Sequence, residues 1–268
     1  MEIFKTNKTY DFMKKRLPFL GLSSILIIVS IVLLLTRGLN FGIDFVGGTI
    51  VQVKYEQKAP LDLLRDTLKQ TKYSNATITE FGNESEVIIR ITGSSSDLTN
   101  DIADEMHKIL DSTGKFEIRR VDMVGAKVGG ELREKGLMAL GLSLVVMLAY
   151  VSYRFEYRFA LASILGLTHD VIIALGAISL FRVEVNLDIL AAILTLLGYS
   201  INDTIIVFDR IRENLQTTKD TVLANVINFS VSKTLSRTTL TSLTTLFVVA
   251  TLLLFGGEII YGFSFTLF

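Results

Sequence analysis

GYSINDTIIVFDRIREN, residues 198–214, decides how the rest of the chain is read. Its first half closes an apolar run that begins near Leu187, and its second half is charged. Asn202 and Asp203 stand between the two, at a depth that falls inside a bilayer if the run is a spanning helix. An ionisable group there costs about 2.5–3.5 kcal/mol on insertion scales. It is retained where it is paired, protonated or turned toward water. The remainder of the sequence is read for what makes Asp203 tolerable and useful.

Half of the 268 residues are hydrophobic, and they fall in blocks. The mean hydropathy of +0.48 is too high for an ordinary soluble domain. This composition describes a polytopic α-helical membrane protein with one soluble insert. Formal net charge is zero, which points to no nucleic-acid partner. The lack of Cys excludes disulfides and thiolate metal sites. No cofactor motif or metal-ligand cluster is legible.

Residues 1–16 carry Lys5, Lys8, Lys14, Lys15 and Arg16 between aromatic residues. They read either as an amphipathic segment on the inner leaflet or as a solvated basic tail. Residues 17–37 form the first span, and the positive charge before it places the N-terminus in the cytoplasm. Residues 38–135 are then a periplasmic α+β domain. Thr49–Tyr55 alternates as a strand, and Pro60–Lys72 has helical spacing with Leu61, Leu64 and Leu68 on one face. Two β-rich runs flank Gly82-Asn83, a hairpin signal. A second helix over Asp97–Leu110, capped from Ser94–Ser96, precedes a last strand over Lys115–Val124. The order βαββαβ is that of ferredoxin-like domains. His107 falls on the polar side of its helix and reads as idle. Residues 136–268 hold spans two to six: Gly136–Tyr153, Phe159–Phe181, Leu187–Phe208, a fifth ending near Phe255, and a sixth begun at Ile259. The sixth is half the required length, so the sequence is read as cut short.

Three polar clusters fall inside spans. They are Asn202-Asp203 with Ser200 and Thr204, Thr168-His169-Asp170, and Arg237 among Ser and Thr residues. A carboxylate, an acid–histidine pair and a guanidinium on neighbouring helices make a proton path, with Asp203 as carrier and Arg237 as its permanent counter-ion. The bland alternative is that the same groups merely pin helices together. Asp209, Arg210, Arg212 and Glu213 read as a solvated turn at a helix end. Gly198 and Gly176 read as close-packing points, and Gly47 and Gly48 as a turn or bulge before a strand. Lys127–Gly130 lacks the spacing of a phosphate loop.

GYSINDTIIVFDRIREN, together with FGIDFVGGT at 41–49 (Gly42, Asp44, Gly47, Gly48), THD at 168–170, SRTTLTSLTTL at 236–246 and FGGE at 255–258, resembles the SecF family. These are the smaller subunits of the bacterial SecD–SecF export complex, within the resistance–nodulation–division superfamily. The resemblance covers the whole chain, with one departure at Phe208, where a Ser is common. It implies six spans and a SecD partner, with SecYEG, YajC and YidC as neighbours and a translocating preprotein as cargo. It also implies drive by protons across the inner membrane, with Asp203 and Arg237 as the family's proton-transport pair. A non-conducting subunit that stabilises SecD and a small-molecule exporter of the same superfamily are the alternatives. No nucleophile or metal cluster points to an enzyme.

Overall fold

The computed structural model describes residues 8–92, 102–217 and 222–268, with Glu258 by its backbone alone. A short 3-10 turn leads into helix α1, Arg16–Thr36. A two-residue strand β1, Asn40–Phe41, and a single helical turn α2, Ile43–Val46, connect α1 to the α+β domain.

That domain runs β2 (Gly48–Tyr55), α3 (Leu61–Lys69), β3 (Thr77–Phe81), β4 (Asn83–Thr92), α4 (Ile102–Leu110) and β5 (Phe116–Val124). The strands form one antiparallel sheet in the order β3-β4-β2-β5. Alternation in β2 sends Val51, Val53 and Tyr55 inward, and each is almost fully buried. Leu64 and Leu68 of α3, Met106 and Leu110 of α4, and Val87 and Ile89 of β4 complete the core. Burying each such aliphatic side chain contributes about 1.5–3 kcal/mol. Pro60 stands one residue before the first helical residue of α3 rather than inside it. The expected cap at residues 94–96 and the expected helix start at 97 lie outside the described residues. Gly82 makes the hairpin with φ +72°, a conformation that a side chain disfavours.

Four long helices follow: α5 (Ala126–Arg154), α6 (Tyr157–Leu180), α7 (Leu187–Thr217) and α8 (Leu223–Phe255). With α1 they make, among the described residues, five helices long and apolar enough to cross a membrane. Between α6 and α7 lies strand β6, Glu184–Val185, and the last helix is α9, Gly257–Leu267. The helices outrun the apolar blocks. Helix α5 begins at Ala126 instead of near Gly136, and α7 continues from Phe208 to Thr217. Charge ends an apolar face without ending a helix. The Arg210–Glu213 pair at 2.7 Å, spaced i,i+3, suits another helical turn.

Small residues let these helices approach. A Cβ at Gly176 of α6 would collide with Ser30 of α1. The connectors also lock together. β1 pairs in parallel with β6, Asn40 opposite Glu184 and Phe41 opposite Val185.

Candidate intramembrane polar site

The GIDFVGG stretch aims the helix that carries Asp203. Gly42 N–H donates to Val185 O at 2.7 Å, where a Cβ would meet Glu184 Oε1 at 2.8 Å. Asp44 Oδ2 accepts from the N–H of Leu187 at 3.0 Å, and Asn186 Oδ1 accepts from Ile189 N–H at 3.2 Å. Two side chains therefore satisfy orphan donors at the start of α7. Gly47 has φ +83° and lies against Ala126, and Gly129 lies against the backbone of Phe45 and Gly47. The Lys127–Gly130 stretch is thus the first turn of α5, packed through Gly129. Gly48 opens β2 so close to Ile91 O that no Cβ fits.

The polar residues of the spans meet across three helices. His169 Nδ1 lies 2.8 Å from Asp170 Oδ1, and its Nε2 lies 3.1 Å from Ser23 Oγ on α1. Ser200 of α7 donates to Asp170 Oδ2 at 2.6 Å. With its proton on Nδ1, a neutral imidazole donates to the carboxylate and accepts from the Ser23 hydroxyl. This hydroxyl–imidazole–carboxylate–hydroxyl row joins α1, α6 and α7. Sequence reasoning missed Ser23. Its available signal was the seven-residue spacing to Ser30, which puts both serines on one face of a largely apolar helix.

Asp203 lies one turn beyond Ser200. Its Oδ2 accepts from Ser242 Oγ of α8 at 3.4 Å, and its Oδ1 is buried with no hydrogen-bond partner among the described residues. Thr204 turns its hydroxyl back onto Ser200 O at 3.1 Å. The structure departs from the sequence reading at four places. Arg237 makes no ion pair with Asp203 within 4.0 Å. It is exposed and lines a cavity of about 350 Å³ with Ile206, Asp209, Glu213, Lys233 and Thr234. Asn202 faces outward, apart from the hydrogen-bonded row. Gly198 is also exposed, with nothing within 4 Å of a Cβ placed there, so it is not a packing point inside this chain. The expected solvated turn at 209–213 is instead helical and tied to α5. Arg154 bonds Asp209 at 3.4 Å, and Arg212 donates to Arg154 O at 3.1 Å.

A multi-pass helical bundle with a small α+β insert and a half-buried acid–hydroxyl row defines a membrane transport component. Residues 105–268 match the family model described as protein export membrane protein SecD/SecF, C-terminal, and residues 32–59 match the SecD/SecF GG motif. The protein translocase subunit SecF of Helicobacter pylori is 44% identical over 265 residues, which cover 98% of this chain and 82% of that one. SecF of Calditerrivibrio nitroreducens is 45% identical, covering 100% of this chain and 90% of that one. The crystal structure of SecDF, a translocon-associated membrane protein from Thermus thermophilus, matches with a TM-score of 0.87 at 33% identity. That match covers 99% of this chain and 36% of the solved one, so the chain spans about a third of that protein. A second SecDF structure, in its super-membrane-facing form, matches with a TM-score of 0.73. The chain belongs to the SecF family of protein translocase subunits.

Proposed function

We propose that this protein translocase subunit is driven by protons that pass through Asp203, and that it works with SecD in the bacterial inner membrane. The observation that carries the reading is the half-buried Asp203 carboxylate, held by one long hydroxyl contact and otherwise unpartnered. A carboxylate so weakly satisfied is poised to take up a proton rather than to serve as a fixed strut. The row from Ser23 through His169 and Asp170 to Ser200 supplies groups that exchange protons one turn away. Arg237 keeps its charge and supplies the field against which Asp203 titrates.

In this reading the N-terminus is cytoplasmic, and residues 38–135 are a periplasmic ferredoxin-like domain after a first span at residues 17–37. Residues 136–268 form spans two to six, with α9 in the sixth. The wide coverage of the SecF relatives supports the SecD partner. SecYEG is the translocon it serves, YajC and YidC are further neighbours, and the cargo is the translocating preprotein. The subunit performs no covalent chemistry.

The test compares export and proton uptake in inverted vesicles holding the complex with SecD. Asp203→Asn keeps the volume and removes the titration, so both activities are lost while SecD still copurifies. Proton-dependent export at the parent rate in Asp203→Asn overturns the reading.

A further inference from the structure

Two interhelical bonds fix how α7 and α8 lie side by side. Ser242 meets Asp203 at 3.4 Å, and Asn214 Nδ2 donates to Ser230 Oγ at 2.8 Å. The helices are antiparallel, so counting inward from either bond sets Arg237 level with Val207 and Phe208. At 1.5 Å per residue Arg237 lies about 7 Å below Asp203 along the axis, and about 2–3 Å from the level of Asp209. An arginine side chain spans either offset. The cavity that Arg237 lines holds, from α7, Asp209, Arg210 and Glu213; from α5, Tyr150 and Arg154; and from α8, Lys233.

The acids in that cavity differ in availability. Glu213 Oε2 is held by Arg210 at 2.7 Å, a close bond. Asp209 meets Arg154 at the long distance of 3.4 Å, through one oxygen alone. Its carboxylate has the greater remaining capacity for a second cation. Ile205 and Ile206 form the apolar part of the wall on the same helix.

The geometry points to Asp209 as a second carboxylate station for Arg237. Arg237 swings between Asp203 and Asp209, and the charge of Asp203 sets which of the two it favours. This inference rests on the proton-driven reading given above. Ionised Asp203 draws the guanidinium upward. Protonated Asp203 releases it to Asp209, into the cavity it occupies in the structure. Asp209 is therefore a positioning residue: it acts on the proton carrier through Arg237 and touches no proton in transit. In the structure Arg237 makes no ion pair within 4.0 Å with either acid, so neither station is occupied there.

The test is the pH profile of proton uptake in inverted vesicles that contain the full complex with SecD. Asp209→Asn removes the lower station and keeps Arg237 beside Asp203. A cation held there favours the carboxylate, so the profile moves to lower pH by about one unit. Asp209→Glu restores the parent profile. Arg154→Gln frees Asp209 from its other cation, strengthens the lower station, and moves the profile the opposite way. Copurification of SecD confirms that each complex is assembled. A parent profile in Asp209→Asn, or a shift that Asp209→Glu fails to restore, overturns the second station. If Asp203→Asn abolishes uptake while Asp209→Asn is silent, the proton reading stands and the second station falls. If Asp203→Asn conducts normally, the proton reading itself falls.

Discussion

Asp44 Oδ2 accepts the backbone N–H of Leu187 at 3.0 Å, across 143 residues of sequence. The acid of the GIDFVGG stretch therefore caps the helix on which Asp203 lies. Replacing a helix cap by Ala costs about 1 kcal/mol. Asp44→Ala is expected to destabilise the protein by about that much and to raise amide exchange at the first turn of α7. Asp44→Asn keeps an acceptor oxygen and recovers most of the loss. Hydrogen exchange of residues 187–190 in detergent checks this, and unchanged protection in Asp44→Ala would refute the capping role.

Two glycines of the motifs are expected to respond in opposite ways. Gly47 has φ +83°, and an added Cβ would come within 2.6 Å of Ala126 Cα. Strained backbone of this kind costs on the order of 1–3 kcal/mol before any displacement of α5. Gly198 lies in a helix with open space beside it. Ala there removes glycine's helical penalty of about 1 kcal/mol. Thermal melting of the purified chain should fall in Gly47→Ala and hold or rise in Gly198→Ala.

The row through His169 is a structural joint, whatever its part in the proposed proton path. His169→Ala deletes the contacts to Ser23 and Asp170 and leaves Asp170 with Ser200 alone. The expected loss is about 1–3 kcal/mol, the range for a half-buried polar group stripped of its partner. Ser23→Ala removes one neutral hydrogen bond, so about 1 kcal/mol is expected. Urea or thermal unfolding in detergent ranks the two, and an equal or reversed order contradicts the geometry.

Glu105 gives the α+β domain a dependence on acid. Its carboxyl is held below the usual glutamate range, first by the Tyr73 hydroxyl at 2.6 Å and second by Lys72. A group with a depressed folded value stabilises at neutral pH and loses that contribution as pH falls through the folded value. The effect is under about 1 kcal/mol, because solvent screens an exposed pair. Amide protection in residues 102–110 should therefore decline below the ordinary glutamate value of 4.5. In Tyr73→Phe that acid-linked decline should shrink. A decline of the same size in both proteins counts against this assignment.

Much of the fold was legible because bilayer and sheet impose short periods. Leu17–Thr36 and the alternation over Thr49–Tyr55 each announce one element, and α1 and β2 occupy those stretches. Helix ends were less legible, since apolar pattern marks where lipid stops and not where hydrogen bonding stops. Lys127 to Lys135 and Asp209 to Thr217 are rich in charge, yet helical. Of the site, the acids and the histidine stand out by their rarity in apolar runs. The levels of Asp203 and Arg237 do not, because they depend on how α7 and α8 are staggered. Serine is too common in membrane helices for Ser23 to be distinctive before α1 is seen against α6.

Strand β5 stops at Val124 and helix α5 starts at Ala126, so Gly125 alone separates them. A one-residue joint leaves little length to absorb torsion, so a roll of α5 about its own axis would be passed on to the edge strand β5. Lengthening that joint by a few flexible residues is the simplest way to disengage the two halves of the molecule.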